Sequence, residues 1–405
     1  MSIHVGLGTS ENPDAFLAGR QAARGACQKA KEDFLDLLMV FASVKFEQQD
    51  LLRGIKSICQ DATIVGCSTA GEITTTGPAK ASVAVMGFKS DALRFSAGLG
   101  CGLSQDARGA GQKCAQEAIR TKLYKRHVFI MLPDGLSGNG ADAIRGAQEV
   151  LGTSFPIVGG SAGDDYLFQK TYQYYQDKVF SDAVVGILFG GEISVGIGSR
   201  HGWHAIGKGH EVTKSRGNII ESLDGREALE IYRDYFGEEA QKLKEFSWAK
   251  IGTIYPLGMS IPDEEEYLIR YAFKATPEGS LVCAAEVPQG SQVRLMIGDK
   301  EGVLNAAREA AARAREDLKD AKILAIIIFD SIARKRILGR RAKEEIEVIK
   351  KTLGTAAPVI GFYSYGQQAP LRAKRYIGKS YFHNETVVVL CLAESGSNLK
   401  GNANV

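Results

Sequence analysis

Pro156-Ile157-Val158-Gly159-Gly160-Ser161-Ala162-Gly163-Asp164-Asp165, residues 156–165, is a short apolar strand that breaks into glycine and small residues. It has two counterparts. Gly66-Cys67-Ser68-Thr69-Ala70-Gly71-Glu72 follows an apolar strand of its own, and Gly361-Phe362-Tyr363-Ser364-Tyr365-Gly366-Gln367 is entered through Pro358-Val359-Ile360. Each turn closes a strand–helix–strand–helix run and precedes another apolar strand, at 82–88, 183–189 and 387–392. One supersecondary unit used three times is the simplest reading of such repetition.

The first unit reads as a strand at 3–8, a helix capped by Ser10, Asn12 or Asp14 and running to about 31, a buried strand at 37–42, a helix near 48–59 and a strand at 63–66. The second reads as strand 93–99, helix 105–121, strand 128–132, helix 139–151 and strand 156–159. The third reads as strand 293–297, helix 303–318, strand 323–329, helix 341–353 and strand 358–361. An insert at 191–291 parts the second unit from the third, with strands at 193–197, 267–273 and 280–287 and a helix at 225–236. Helices alternating with apolar strands predict an α/β fold with helix-covered sheets. The strand after each turn is close in sequence and free to pair antiparallel, so the sheets are expected to be mixed.

With 405 residues the chain has length for two or three domains and a large core. A net charge of +3, from 50 basic and 47 acidic residues, speaks against a nucleic-acid surface. Glu11, Asp14, Arg20 and Arg24 interrupt any signal-length apolar run, and apolar stretches such as 323–329 are strand-sized. No membrane association is expected. Seven scattered cysteines without a C-x-x-C pair fit a reduced, cytoplasmic protein.

Glycine-rich strand ends let a backbone approach a ligand closely, and consecutive free amides there hold anions. Ser68 and Thr69 add hydroxyls, and Glu72 an acceptor for an ammonium group. The ligand-binding candidates are Gly66, Cys67, Ser68, Thr69, Gly71 and Glu72 of the first turn, Ser161 and Asp164 of the second, and Tyr363, Tyr365 and Gln367 of the third. The bland alternative is tight turns whose hydroxyls serve local backbone. A bulky residue at Ser68 or Gly71 is expected to weaken binding without unfolding the chain. Gly159-Gly160-Ser161-Ala162-Gly163 also spells G-x-S-x-G, the nucleophile elbow of serine hydrolases, but the residues after it read as extended rather than helical. Cys67 lacks a base in its neighbourhood, and Asp164 with Asp165 offers too few oxygens for a hard cation. The basic run Arg334-Lys335-Arg336 reads as an exposed face.

Five separated motifs carry a resemblance: GCSTAGE at 66–72, PIVGGSAGD at 156–164, HGW at 201–203 with LDGREALEIYRDYFG at 223–237, PVIGFYSYGQ at 358–367 and FHNETVVVL at 382–390. In this order they resemble the FIST family of bacterial sensory modules, with an N-terminal domain at 1–222 and a C-terminal domain at 223–405, the boundary falling between about 191 and 225. Gln367 departs from the family's usual Glu after Tyr-Gly. The resemblance implies ligand sensing without catalysis. It implies either a small metabolite such as an amino acid or a non-covalent haem that senses nitric oxide, with output to a signalling enzyme such as a histidine kinase or a cyclic-di-nucleotide enzyme. Of six histidines, His383 is the first choice for an iron ligand, lying beside Phe382 just before a buried strand. His201, His204 and His210 read as structural or surface groups.

Overall fold

The computed structural model describes residues 2–237, 248–262, 264, 266–373 and 376–395. In the first repeat, β1 (Ile3–Ser10), α1 (Ala15–Ala30), β2 (Leu37–Ala42), α2 (Gln48–Lys56) and β3 (Thr63–Ser68) lead into a hairpin, β4 (Glu72–Thr74) and β5 (Gly77–Pro78), and then β6 (Val83–Ser90). Asp14 is the cap of α1, accepting from Leu17 N at 2.8 Å. The second repeat has the same order: β7 (Leu93–Cys101), α3 (Ala107–Arg120), β8 (Arg126–Pro133), α4 (Gly140–Leu151), β9 (Ile157–Gly160), hairpin β10 (Gln173–Tyr175) and β11 (Lys178–Phe180), and β12 (Ala183–Gly191).

The third repeat opens on β13 (Ile193–Arg200), not on the expected strand at 293–297. The intervening insert contributes β14 (Trp203–Arg216), β15 (Ile219–Leu223), β16 (Arg226–Glu227), α5 (Glu230–Phe236), α6 (Trp248–Ile254), β17 (Leu257–Met259), β18 (Leu268–Arg270), β19 (Ala272–Ala275), β20 (Leu281–Cys283) and β21 (Gln292–Gly298). β21 pairs with β14 and β17, so 293–297 belongs to the insert. The repeat resumes with α7 (Lys300–Leu318), β22 (Ile323–Ser331), α8 (Ile332–Leu338), α9 (Ala342–Leu353), β23 (Val359–Ser364), hairpin β24 (Gln367–Ala373) and β25 (Tyr376–His383), and β26 (Val387–Glu394).

Each repeat builds the same mixed sheet. Its first strand pairs antiparallel with its last, the last antiparallel with the second, and the second parallel with the third: β1-β6-β2-β3, β7-β12-β8-β9 and β13-β26-β22-β23. Each sheet is completed by a hairpin from a different repeat. β10–β11 joins β3, β24–β25 joins β9, and β4–β5 joins β23. The exchange is cyclic, and it crosses the expected division near residue 222.

The three sheets enclose one core. Along β2, Leu37, Met39 and Phe41 point into it, while Leu38, Val40 and Ala42 meet α1 and α2. Val128, Ile130 and Leu132 of β8 and Ile327 and Phe329 of β22 do the same from the other sheets. Helix pairs α1/α2, α3/α4 and α7/α9 cover the outer faces. The first strands repeat VGLG at 5–8, AGLG at 97–100 and VGIG at 195–198. A Cβ on Gly8 or Gly198 would fall on the Ala22 or Ala310 carbonyl, so these glycines let an alanine-faced helix lie directly on its strand. The insert has its own core around Val212, Tyr232 and Leu295, shared with Leu371 of β24. No helix among the described residues is long and apolar enough to cross a membrane.

Candidate functional site

The parallel pair in each sheet ends at the same place, and the cyclic hairpins bring the three turns into mutual contact. Gly163 N donates to Ser68 O at 3.0 Å and Asp165 N to Thr69 O at 2.9 Å. Ala70 N donates to Tyr363 O at 2.9 Å, and Tyr363 N to Gly71 O at 2.8 Å. Ser161 N donates to Gly366 O at 2.8 Å, and Tyr365 N to Ser161 O at 3.2 Å. Every turn is thus bonded to both others.

Most of the expected ligand groups are used up in holding this hub. The Ser68 hydroxyl donates to Gly163 O at 2.7 Å and accepts from Tyr172 N at 2.9 Å. Glu72 is buried and accepts from Thr69 Oγ1 at 2.6 Å and from Ser82; burial pushes it up to about 7. Asp164 accepts from the amides of Phe168, Gln169 and Lys170 and from the Tyr365 hydroxyl, which clasps the 165–170 loop. Asp165, Tyr166 and Phe168 in that loop have positive φ. Ser161 is 3% exposed, accepts from Gln368 Nε2 at 3.1 Å, and no helix follows it, so the nucleophile-elbow geometry is not present. Cys67 is fully buried and its thiol is pushed well above its usual range, which disfavours the thiolate. Gly71 has φ +122 with Lys335 Nζ against it, and Ser68 is fully buried, so a bulky residue at either position would break the hub rather than spare the fold.

What the turns leave unsatisfied lies to one side, at the carboxyl end of β22. Among the described residues, eight buried side-chain atoms lack an ordinary hydrogen-bond partner: Asp330 Oδ2 and Glu345 Oε2, which meet each other as two carboxyls, are two of them, and Tyr363 Oη and both oxygens of Glu385 are three more. Arg334, expected on the surface, is fully buried. It pairs with Asp330 at 3.0 Å and with Glu345, and donates to the carbonyls of His201 and Val303. Two buried carboxyls therefore pair with one guanidinium, and its charge also reaches Glu385. Burial and the Glu345 charge drive Asp330 well above the carboxylate range, and the Asp330–Glu345 pair bonds to itself through the resulting proton. Lys335, next along α8, donates to Ala70 O at 3.2 Å and stands 4.2 Å over the Tyr363 ring; burial and the Lys80 charge lower it to about 8.

Neither carboxyl oxygen of Glu385 has a hydrogen-bond partner. The residue is 2% exposed and sits at φ +55, a left-handed backbone that non-glycine residues seldom adopt. Its turn is pinned: Thr386 N donates to Gln367 Oε1 at 3.2 Å, and Tyr271 N of the insert donates to Asn384 Oδ1 at 3.4 Å. Gln367 in turn donates to Ser364 Oγ at 2.9 Å, which ties the 384–386 turn to the hub. Burial raises the Glu385 carboxyl well above its ordinary value; the charged or phenolic groups close enough to interact with it are Arg334, Tyr232 and Tyr271.

A model of the FIST N domain matches residues 36–226, and a model of the FIST C domain matches residues 228–370. The chain belongs to the FIST family. FIST domains are sensor domains of signal transduction. An uncharacterised protein of Methanocaldococcus jannaschii is 24% identical over 330 residues, covering 76% of this chain and 63% of that protein, so this FIST chain spans less than two thirds of that relative. A solved cyanuric acid hydrolase from A. caulinodans aligns at TM-score 0.37 and 8% identity, over 98% of this chain and 100% of that one. A chorismatase aligns at 0.34 and 8%, over 97% and 99%. At TM-scores this low the likenesses carry no weight for fold or activity.

The FIST resemblance raises haem, and the histidines bear on that. His383 is buried, its Nε2 donates to Ala369 O at 3.0 Å, and burial lowers it to about 4. His201 Nδ1 accepts from Trp203 N at 2.9 Å, and burial, with His383 adding to it, lowers this ring to about 3. Each of these two rings is held neutral and spends one nitrogen on the backbone. Arg334, Asp330, Glu345 and Glu385 escaped the sequence reading because charged residues read as surface; Glu385 stood in plain view within the FHNET motif.

Proposed function

We propose that this FIST chain senses a small metabolite bearing an ammonium group, an amino acid or simple amine, and that Glu385 receives the ammonium. The observation that carries this reading is the Glu385 carboxyl, 2% exposed with neither oxygen hydrogen-bonded. A buried acceptor left unmade costs on the order of 1–3 kcal/mol, and a charge-assisted bond to a cationic ligand offsets that cost. Arg334 does not compete for the role, since its guanidinium is already engaged by Asp330, Glu345 and two carbonyls. The route to an output runs through the 384–386 turn and Gln367 to the hub, where all three sheets meet. The receiver is a separate signalling enzyme, of which a histidine kinase is one kind.

Calorimetric titration with a panel of amino acids and linear amines tests the reading. A ligand is expected whose affinity falls at least about tenfold in Glu385→Gln, the loss of one charge-assisted bond. Binding should release a proton, because an ammonium favours the ionised carboxyl. Affinity should therefore rise with pH from about 4.5 up to the raised value of Glu385. Unchanged affinity in a folded Glu385→Gln protein would falsify the assignment.

A further inference from the structure

On the outer face of the first sheet, α1 and α2 pack against each other, and a cysteine of α1 meets one from the segment after α2. Cys27 lies in the last turn of α1 and Cys59 just beyond α2. Their sulfurs are 3.4 Å apart and share a hydrogen bond, although 32 residues separate them. Neither is in a disulfide. Cys27 is 7% and Cys59 3% exposed, and Gln60, next to Cys59, lines the open cavity of about 490 Å³ between α2 and Asp177. The Leu35 amide and the Lys56 charge both favour the anionic form of Cys59, against a burial that pushes its thiol up to about 12.

We propose that Cys27 and Cys59 form a dithiol site that a peroxide oxidises to an intramolecular disulfide. The Cys27 sulfur, the more exposed of the two, attacks one peroxide oxygen. The O–O bond breaks, water leaves, and Cys27 becomes a sulfenic acid. The Cys59 sulfur then attacks the Cys27 sulfur; the S–S bond forms, the S–O bond breaks and a second water leaves. Each sulfur gives up one electron, the peroxide takes up two, and both thiol protons end in water. Closing the contact to a bond of about 2.05 Å takes a movement of about 1.4 Å, within reach of side-chain torsions at two helix ends. The product ties the end of α1 to the segment after α2 and leaves the hub and Glu385 untouched. It makes the first repeat responsive to a chemical signal unrelated to the ammonium ligand.

Hydrogen peroxide treatment of the full chain, alkylation under denaturing conditions and peptide mass mapping test the site. The expected result is loss of two of the seven free thiols, a mass decrease of two hydrogens, a linked Cys27–Cys59 peptide, and reversal by dithiothreitol. Cys101 is the exposed cysteine, and Cys101→Ser should oxidise as the parent does, while Cys27→Ser and Cys59→Ser should show no linked product. Oxidation confined to Cys101, or linkage of Cys27 or Cys59 to another cysteine, overturns the proposal. The map of the unsubstituted chain decides it even if a serine variant does not fold.

Discussion

The Ser68 hydroxyl donates to the carbonyl of Gly163 at 2.7 Å, while the Gly163 amide donates to the carbonyl of Ser68 at 3.0 Å. This reciprocal clasp joins the first turn to the second and is fully buried. Ser68→Ala removes the donor to Gly163 and the acceptor for Tyr172 N, leaving two buried backbone groups unmade. A loss of about 2–3 kcal/mol is expected. Urea unfolding measures it; a midpoint equal to the parent's contradicts a structural role for the hydroxyl.

Asp164 organises a loop rather than a ligand. Asp164→Ala takes the acceptor from three amides at once and from the Tyr365 hydroxyl. Hydrogen exchange at 168–170 should speed up by at least about tenfold, since each lost bond to a charged acceptor is worth roughly 1.5–3 kcal/mol. The exposed Leu167 and Phe168 should become sites of early chymotryptic cleavage.

Buried carboxyls and buried histidines push stability in opposite directions with pH. The carboxyls of Glu72, raised to about 7, and of Glu385, raised well above its ordinary value by burial, hold protons in the folded chain that the unfolded chain has released. Their contribution is complete below about 4.5 and is lost as pH rises through the raised values. His201 and His383, lowered to about 3 and about 4, contribute stability above about 6.5 that is lost as pH falls. Glu385→Gln should therefore be more stable than the parent at pH 8 and gain little at pH 4. Unfolding curves across that range check the sign, and a variant that gains stability only in acid runs against it.

His383 keeps its Nε2 on the Ala369 carbonyl. Protein made with ample haem and then desalted should show no Soret band that depends on His383. A band that vanishes in His383→Ala would show that the ring leaves Ala369 for iron.

Much of the repeat architecture was readable from the chain, and particular residues explain both the success and the gap. The three turns announced themselves because a strand end that meets two others needs small residues in each copy. The start of the third repeat was misplaced at 293–297, although VGLG, AGLG and VGIG mark all three first strands. Gly198→Ala should unfold the third sheet's contact with α7, because the added methyl meets a helix carbonyl that cannot yield; circular dichroism and expression yield report it. The partners of the hairpins were not readable, since β10, β24 and β4 pair with strands of other repeats and no local pattern encodes that choice. Arg334 and Glu385 were hidden for the opposite reason: composition treats charge as solvated, and only the packed chain reveals a guanidinium enclosed by carboxyls.

The cyclic lending of hairpins has a further meaning. Nothing in the pairing of β4–β5 with β23, of β10–β11 with β3, or of β24–β25 with β9 requires the repeats to be joined end to end. Three separate copies of an ancestral unit, each with one arm over its neighbour, would close the same ring. The links now present join repeats that the lent hairpins already close into a ring of three. A cut at either link leaves the other in place, with the lent hairpins holding the severed repeat to both neighbours.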